Sequence, residues 1–222
     1  SGQAFIKKAP VTDQLWIDHI EGKDPSLGII PIRDDSKCIW GCIDIDTYPL
    51  EYKKLVRKIR ELELPVVMCR SKSGGAHVFL FSKEFLPAAL FRSKLNDMAA
   101  ILGYSRAEIF PKQNQVDMSK GGTGSFLNLP YHNKETTVRY GIKEDGSAMT
   151  LQEFFDAYDK IALTNLEKLE VKEKKSKKED DLLKGAPPCL ASLAKQGIPN
   201  GQRNNAIYNF GVYCKKRYTD WK

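Results

Sequence analysis

No stretch of this sequence approaches the roughly 18 consecutive apolar residues that a membrane-crossing helix needs. It shows no basic segment followed by a long apolar one, so a secretory leader is not expected. Cysteine is sparse and odd in number, with five residues at Cys38, Cys42, Cys69, Cys189 and Cys214. Three of them lie in or beside apolar runs. That is a poor basis for a disulfide framework and points to a reducing compartment, the cytoplasm. No internal repeat or low-complexity tract stands out. Acidic residues fall short of basic ones, 28 against 35, which leaves a net charge of +7. An excess of that size favours an anionic partner, nucleic acid above all.

With 222 residues the chain can bury one sizeable core and carry a small extra module. Residues 12–22 read as a short helix ending near Gly22. The apolar runs at 27–32 and 38–46 are joined by "RDDSK", which suits a hairpin. Residues 49–64 carry an apolar stripe of helical spacing, and Pro65 closes it. Strands are expected at 66–69 and 77–81, then a helix over 87–103 stopped by Gly103. Strand-like pieces follow at 107–110, 125–130 and 137–142. Thr150 and Glu153 form a capping box for a helix over 151–162. Strands and helices so interleaved predict an α+β or α/β domain with a mixed sheet. We therefore expect a main domain over residues 1–163, a charged linker or solvated helix over 164–185, and the start of a second helical unit over 186–222. Cys189 is expected to be a buried cysteine, not a cluster ligand.

The chemistry concentrates in four places. In "CIWGCIDID", alternation turns Asp44 and Asp46 to one face and Ile43 and Ile45 to the other. Two carboxylates so close are hard oxygen ligands suited to Mg²⁺ or Mn²⁺. The second place is "RSKSGGAH", between two strands. Glycines let backbone N–H groups approach a phosphate, and cations and hydroxyls complete a cradle. Arg70, Lys72, Ser73, Gly74, Gly75 and His77 are the candidates. Glu108 in "AEIFPKQ" is a third strand carboxylate, followed by Lys112 and Gln113, with Asp117 competing for the same role. The fourth is "GGTGSFLNLPYH", with Asn128 and His132 as candidate sugar or base contacts. An ordinary glycine-rich hairpin and a surface glutamate remain the plain alternatives at the second and third places.

Taken together these pieces resemble the archaeo-eukaryotic primase superfamily, the primase-polymerases. That family carries an hhhDhD strand, a Ser-x-His-type motif and a later lone acidic residue. Here they correspond to Asp44 and Asp46, to Ser73 through His77, and to Glu108. The wider context "EIFPKQ…GSFLNLPYH" is similar to primase-like domains of prokaryotic conflict systems and CRISPR-associated primase-polymerases. The resemblance covers roughly residues 15–142. It implies mixed sheets with flanking helices, an RNA-recognition-motif-like half, and a C-terminal helical segment.

It also implies a DNA primase or DNA polymerase. Asp44, Asp46 and Glu108 would hold two divalent ions. Arg70, Lys72, Ser73, Gly74, Gly75, His77, Lys112, Gln113, Asn128 and His132 would meet the nucleotide. Its partners would be single-stranded or primed DNA, dNTPs or rNTPs, and CRISPR adaptation proteins, in a prokaryotic or phage-like cytoplasm. Tyr48, Tyr131 and Trp40 are candidate contacts for sugar choice. A metal-dependent nuclease or phosphodiesterase, and a catalytically inactive single-strand binder, stand as alternatives.

Overall fold

The computed structural model describes residues 7, 9–117, 119, 122–163, 165–171, 185–196 and 203–217. Contacts divide the chain into one compact unit ending at Glu173 and a second from Lys174 onward. No described helix is long and apolar enough to cross a membrane.

The first unit opens with helix α1 (Asp13–Ile20) and strand β1 (Gly28–Ile29). A β-α-β-β-α-β run follows: β2 (Lys37–Ile45), α2 (Tyr52–Glu61), β3 (Val66–Arg70), β4 (Ala76–Pro87), α3 (Ala88–Leu102) and β5 (Glu108–Phe110). These strands make one sheet in the order β3-β4-β2-β5. The crossover from β2 through α2 does not bring β3 beside β2, because β4 returns between them. This is a split βαβ arrangement. It corrects the expected mixed sheet, since every named ladder is antiparallel. Strand β6 (Leu127–Asn128), a short 3-10 turn (Lys134–Thr136) and α4 (Leu151–Ile161) complete the unit.

Alternation divides the sheet. Ile43 and Ile45 of β2, Val78 and Leu80 of β4, Met68 of β3 and Ile109 of β5 face α2 and α3. They pack on Leu55, Val56 and Ile59, and on Phe91, Leu95, Met98 and Leu102. Each large side chain so buried contributes about 1.5–3 kcal/mol. Gly41 lets α3 approach, since a Cβ there would fall 2.7 Å from a Leu95 methyl and 2.8 Å from the Phe110 carbonyl. The other face collects Cys42, Val67, Cys69, Phe79 and Phe110, with Phe81 and with Phe154 of α4. Helix α4 begins at the expected capping box: the Glu153 N–H donates to Thr150 Oγ1 (3.2 Å) and the Thr150 N–H to Glu153 Oε2 (2.8 Å).

Three local expectations are corrected. The 27–32 and 38–46 runs do not pair as a hairpin; β1 pairs with β6, placing Gly28 opposite Asn128. A turn does close, the Arg33 N–H donating to the Lys37 carbonyl at 2.8 Å. Pro31 has no N–H with which to extend that ladder. The expected strand over 137–142 reduces to isolated bridges, Cys69 with Gly141 and Ile142 with Ala148. The first unit also runs past 163: Leu166 is fully buried, and Lys94 Nζ donates to the Leu169 carbonyl at 2.7 Å. Most of the expected charged linker falls outside the described residues.

The second unit contains α5 (Pro188–Gln196) and α6 (Arg203–Arg217). Leu190 and Ala206 are buried there. Cys189 is exposed, which corrects its expected burial. Helical spacing turns it away from the face that carries Leu190.

His19 supplies a pH-dependent brace. Its ring is buried, its Nε2 lies 2.8 Å from the Pro130 carbonyl, and the Leu27 N–H donates to its Nδ1 at 3.0 Å. That pattern requires the neutral ring with its proton on Nε2. Burial holds its pKa below the ordinary histidine value. The unfolded chain therefore takes up the proton first, near pH 6.5. The stabilisation from neutral His19 is complete above that pH and is lost as pH falls toward the lower folded value. Melting temperature should thus decline below about pH 6.5, and His19→Gln should flatten the decline. Parallel curves for the two proteins would contradict this.

Candidate active site

Asp44 projects to the face opposite Ile43 and Ile45, and the ladders set its neighbours. It lies directly across from His77 of β4 and from Glu108 of β5, while His77 lies across from Cys69 of β3. Directly opposed residues project to the same face. Cys69, His77, Asp44 and Glu108 therefore form one row across all four strands, and Asp46 follows just beyond the end of β2. His77 Nε2 lies 3.4 Å from Asp44 Oδ1, and that oxygen is buried with no hydrogen-bond partner among the described residues. Leaving a buried carboxylate oxygen unsatisfied is costly, and a bound cation removes the cost. The Cys69 thiol, also in the row, is pushed far above its ordinary pKa by burial. Burial thus favours its neutral thiol over the nucleophilic thiolate.

The connection between β3 and β4 curls tightly. The Ser71 N–H donates to the Gly75 carbonyl (2.9 Å) and the Gly74 N–H to the Ser71 carbonyl (3.2 Å). Gly74 takes φ +96°, a conformation that favours glycine. From α2, the Tyr52 hydroxyl donates to the Gly74 carbonyl at 2.5 Å. The Tyr48 hydroxyl stands 2.7 Å from Asp46 Oδ1 and 2.7 Å from Ser73 Oγ. It thereby links the second carboxylate to the loop. Gly75 rests on the end of β2, where a Cβ would collide with the Ile45 carbonyl oxygen. Gly75→Ala should therefore cost about 1–3 kcal/mol of stability, as overpacking does, and displace the segment between Asp44 and Asp46. Thermal unfolding checks this, and an unchanged melting temperature would refute it.

Two clefts open from the carboxylate pair. The larger, about 450 Å³, runs from Asp44, Asp46 and Thr47 to the α3–β5 connection and Glu108. The smaller, about 250 Å³, is walled by Lys72, Ser73, His77, Phe126, Asn128 and Arg139, again with Asp44 and Asp46. Arg139 was not among the expected site residues. It is 6% exposed, and its Nη1 is buried without a partner among the described residues. Burial lowers its pKa from the ordinary arginine value. A lone cation in the apolar "TVRYGI" stretch was the available signal. Ser71, 4% exposed and on the same wall, was also missed.

Other expected residues lie elsewhere. Lys112 Nζ is 2.6 Å from Glu108 Oε2, so it holds the third carboxylate. Gln113 Nε2 donates to the Thr123 carbonyl (3.2 Å). Arg70 is on the helix-facing side of β3 by alternation, donates from Nη1 to the Val138 carbonyl (2.9 Å), and lines neither cleft. His132 sits near the Lys23 carbonyl (3.3 Å) and the His19 ring, away from both clefts. Asp117 accepts from the Ser119 N–H (3.1 Å) in its own turn. Of the three sugar-contact candidates, Tyr131 is buried and Trp40 packs on Phe79, while Tyr48 stands beside Asp46.

Among the described residues, no group of three or more His, Cys, Asp or Glu side chains is already gathered for a cation. The donors nevertheless fit a hard divalent ion. Asp44 offers a buried oxygen that accepts no hydrogen bond among the described residues, Asp46 follows on the same face, and Glu108, paired with Lys112, stands across from Asp44.

A comparison with curated proteins gives no match. The family model described as TOTE conflict system, archaeo-eukaryotic primase domain, matches residues 4–173. The match ends where the first compact unit ends and contains the whole row from Cys69 to Glu108. By that match, which spans most of its length, the chain belongs to the archaeo-eukaryotic primase family, as a domain of the TOTE conflict-system type.

Proposed function

We propose that this domain extends a nucleic-acid strand on a template, transferring nucleotides from nucleoside triphosphates. The family implies primase- or polymerase-type nucleotidyl transfer with divalent metals. The observation that carries the reading is the pairing of two features on one sheet end. A carboxylate pair borders a pocket that also holds a lysine, two serines and a buried arginine whose Nη1 has no partner among the described residues.

Asp44, Asp46 and Glu108 are the metal-holding residues in this reading. Divalent ions there would neutralise the α-phosphate and the leaving pyrophosphate and acidify the attacking hydroxyl. Lys72 and Arg139, with the Ser71 and Ser73 hydroxyls, bind and orient the triphosphate. Phosphoryl transfer asks chiefly for such positioning and charge stabilisation. His77 packs against Asp44 and holds its carboxylate toward the clefts. Tyr48 bridges Asp46 and Ser73 and so positions the second carboxylate beside the phosphate loop. Asn128 reaches the same pocket and contacts the sugar or base.

The cation-lined pocket favours transfer over a nuclease, which has no use for a triphosphate cradle. Mn²⁺ or Mg²⁺, labelled dNTPs or rNTPs and a primed template supply the test. Template-dependent extension is expected from the wild-type chain and none from Asp44→Ala/Asp46→Ala. Shortening of the labelled strand would instead indicate a nuclease.

A further inference from the structure

We propose that the larger cleft holds the 3′ end of the strand being extended, with Arg106 on its backbone phosphates. This rests on the nucleotidyl-transfer reading and divides that site between two substrates. Both clefts contain Asp44 and Asp46, but only the smaller one contains Lys72 and Arg139. The triphosphate is the most anionic part of either substrate, so it belongs with those two cations.

In the reaction the 3′-oxygen bonds to the α-phosphorus. The α–β bridging P–O bond breaks, and its electron pair leaves on pyrophosphate. The hydroxyl proton passes to solvent. Attacking and leaving oxygens lie roughly in line, on opposite sides of the phosphorus. With pyrophosphate on the Lys72 and Arg139 side, the hydroxyl must arrive from across the carboxylates. That approach is the larger cleft, and Glu108 lines it alone of the two.

The wall of this cleft is preformed. Gly103 ends α3 at φ +92°. The Tyr104 N–H then donates to the Ala99 carbonyl (2.7 Å) and the Ala107 N–H to the Tyr104 carbonyl (2.9 Å). The turn they close presents Ser105 and Arg106 at the surface. Arg106 has no ion-pair partner among the described residues, so its charge is available to a strand.

Steady-state extension by the full chain, with Mn²⁺ and a recessed primer on a template, tests this. Arg106→Ala should raise KM for the primed DNA about tenfold, as loss of one charged hydrogen bond does. The slope of log affinity against log salt should fall by about one, read by anisotropy with labelled primed DNA and no nucleotide. The KM for nucleotide should stay within about twofold, and Arg106→Lys should recover part of the DNA affinity. An Arg106→Ala protein that binds primed DNA like wild type, or that loses nucleotide affinity instead, overturns the assignment alone. A wild-type chain that binds nucleotide but extends no primer overturns the polymerase reading, and this assignment with it.

Discussion

Asp44→Asn should lower template-dependent extension by on the order of 10³-fold, the scale seen when one electrostatic contact to the reacting centre is removed. The substitution keeps the shape of the side chain and removes only its charge. Asp44 borders both clefts, as Asp46 does, and it also stands opposite His77 and Glu108 in the ladders. Its Oδ1 is buried and accepts no hydrogen bond among the described residues, with His77 Nε2 at 3.4 Å as its neighbour. Stabilisation by Mn²⁺ should disappear in the same variant, since ligand binding to the native state raises its stability by mass action. The fold should persist. Asp44 lies off the apolar face that packs on α2 and α3, so its melting temperature should move by no more than about 4 °C, or roughly 1 kcal/mol for a domain of this size. Extension at the wild-type rate by a folded Asp44→Asn protein would end the metal-carboxylate account.

Arg139→Met should move stability and function in opposite directions. The native arginine is nearly enclosed, burial disfavours its charged form, and Nη1 has no acceptor among the described residues. Replacing an uncompensated buried charge with an apolar side chain of similar length is neutral or stabilising. Yet Arg139 shares its pocket with Lys72, Ser71 and Ser73, where a triphosphate would supply the missing acceptor. Loss of charge-assisted hydrogen bonds worth about 1.5–3 kcal/mol corresponds to a rise in nucleotide KM of roughly 10- to 150-fold. The rise in melting temperature caused by nucleotide should shrink to match. A merely structural arginine would give the reverse pattern, a lower melting temperature with nucleotide KM unchanged.

Much of this site is legible along the chain, because it is written in short-range patterns. Alternation within "CIWGCIDID" separates Asp44 and Asp46 from Ile43 and Ile45, and that separation depends only on the pleat of one strand. Helix α2 follows from its apolar stripe, the end of α3 from Gly103, and the start of α4 from Thr150 and Glu153. Glycine and serine between two strands announce a tight loop wherever the strands go.

Register and closure are not local. Nothing between Asp44 and Glu108 states that they stand opposite one another; burying Ile43, Val78 and Ile109 together against α2 and α3 does, since a one-residue slip would turn those side chains to the other face. Both edges of β2 are taken by β4 and β5, so the expected hairpin does not form and β1 pairs with β6 instead. Arg70 and Arg139 look alike as cations in apolar runs. Only the packed sheet separates them, sending Arg70 to the Val138 carbonyl and leaving Arg139 Nη1 without a partner among the described residues, in the pocket of the carboxylates. Periodicity is a property of neighbours in the chain and can be read there. Which polar group is left without a partner depends on every element that closes around it, and is settled only when the core is packed.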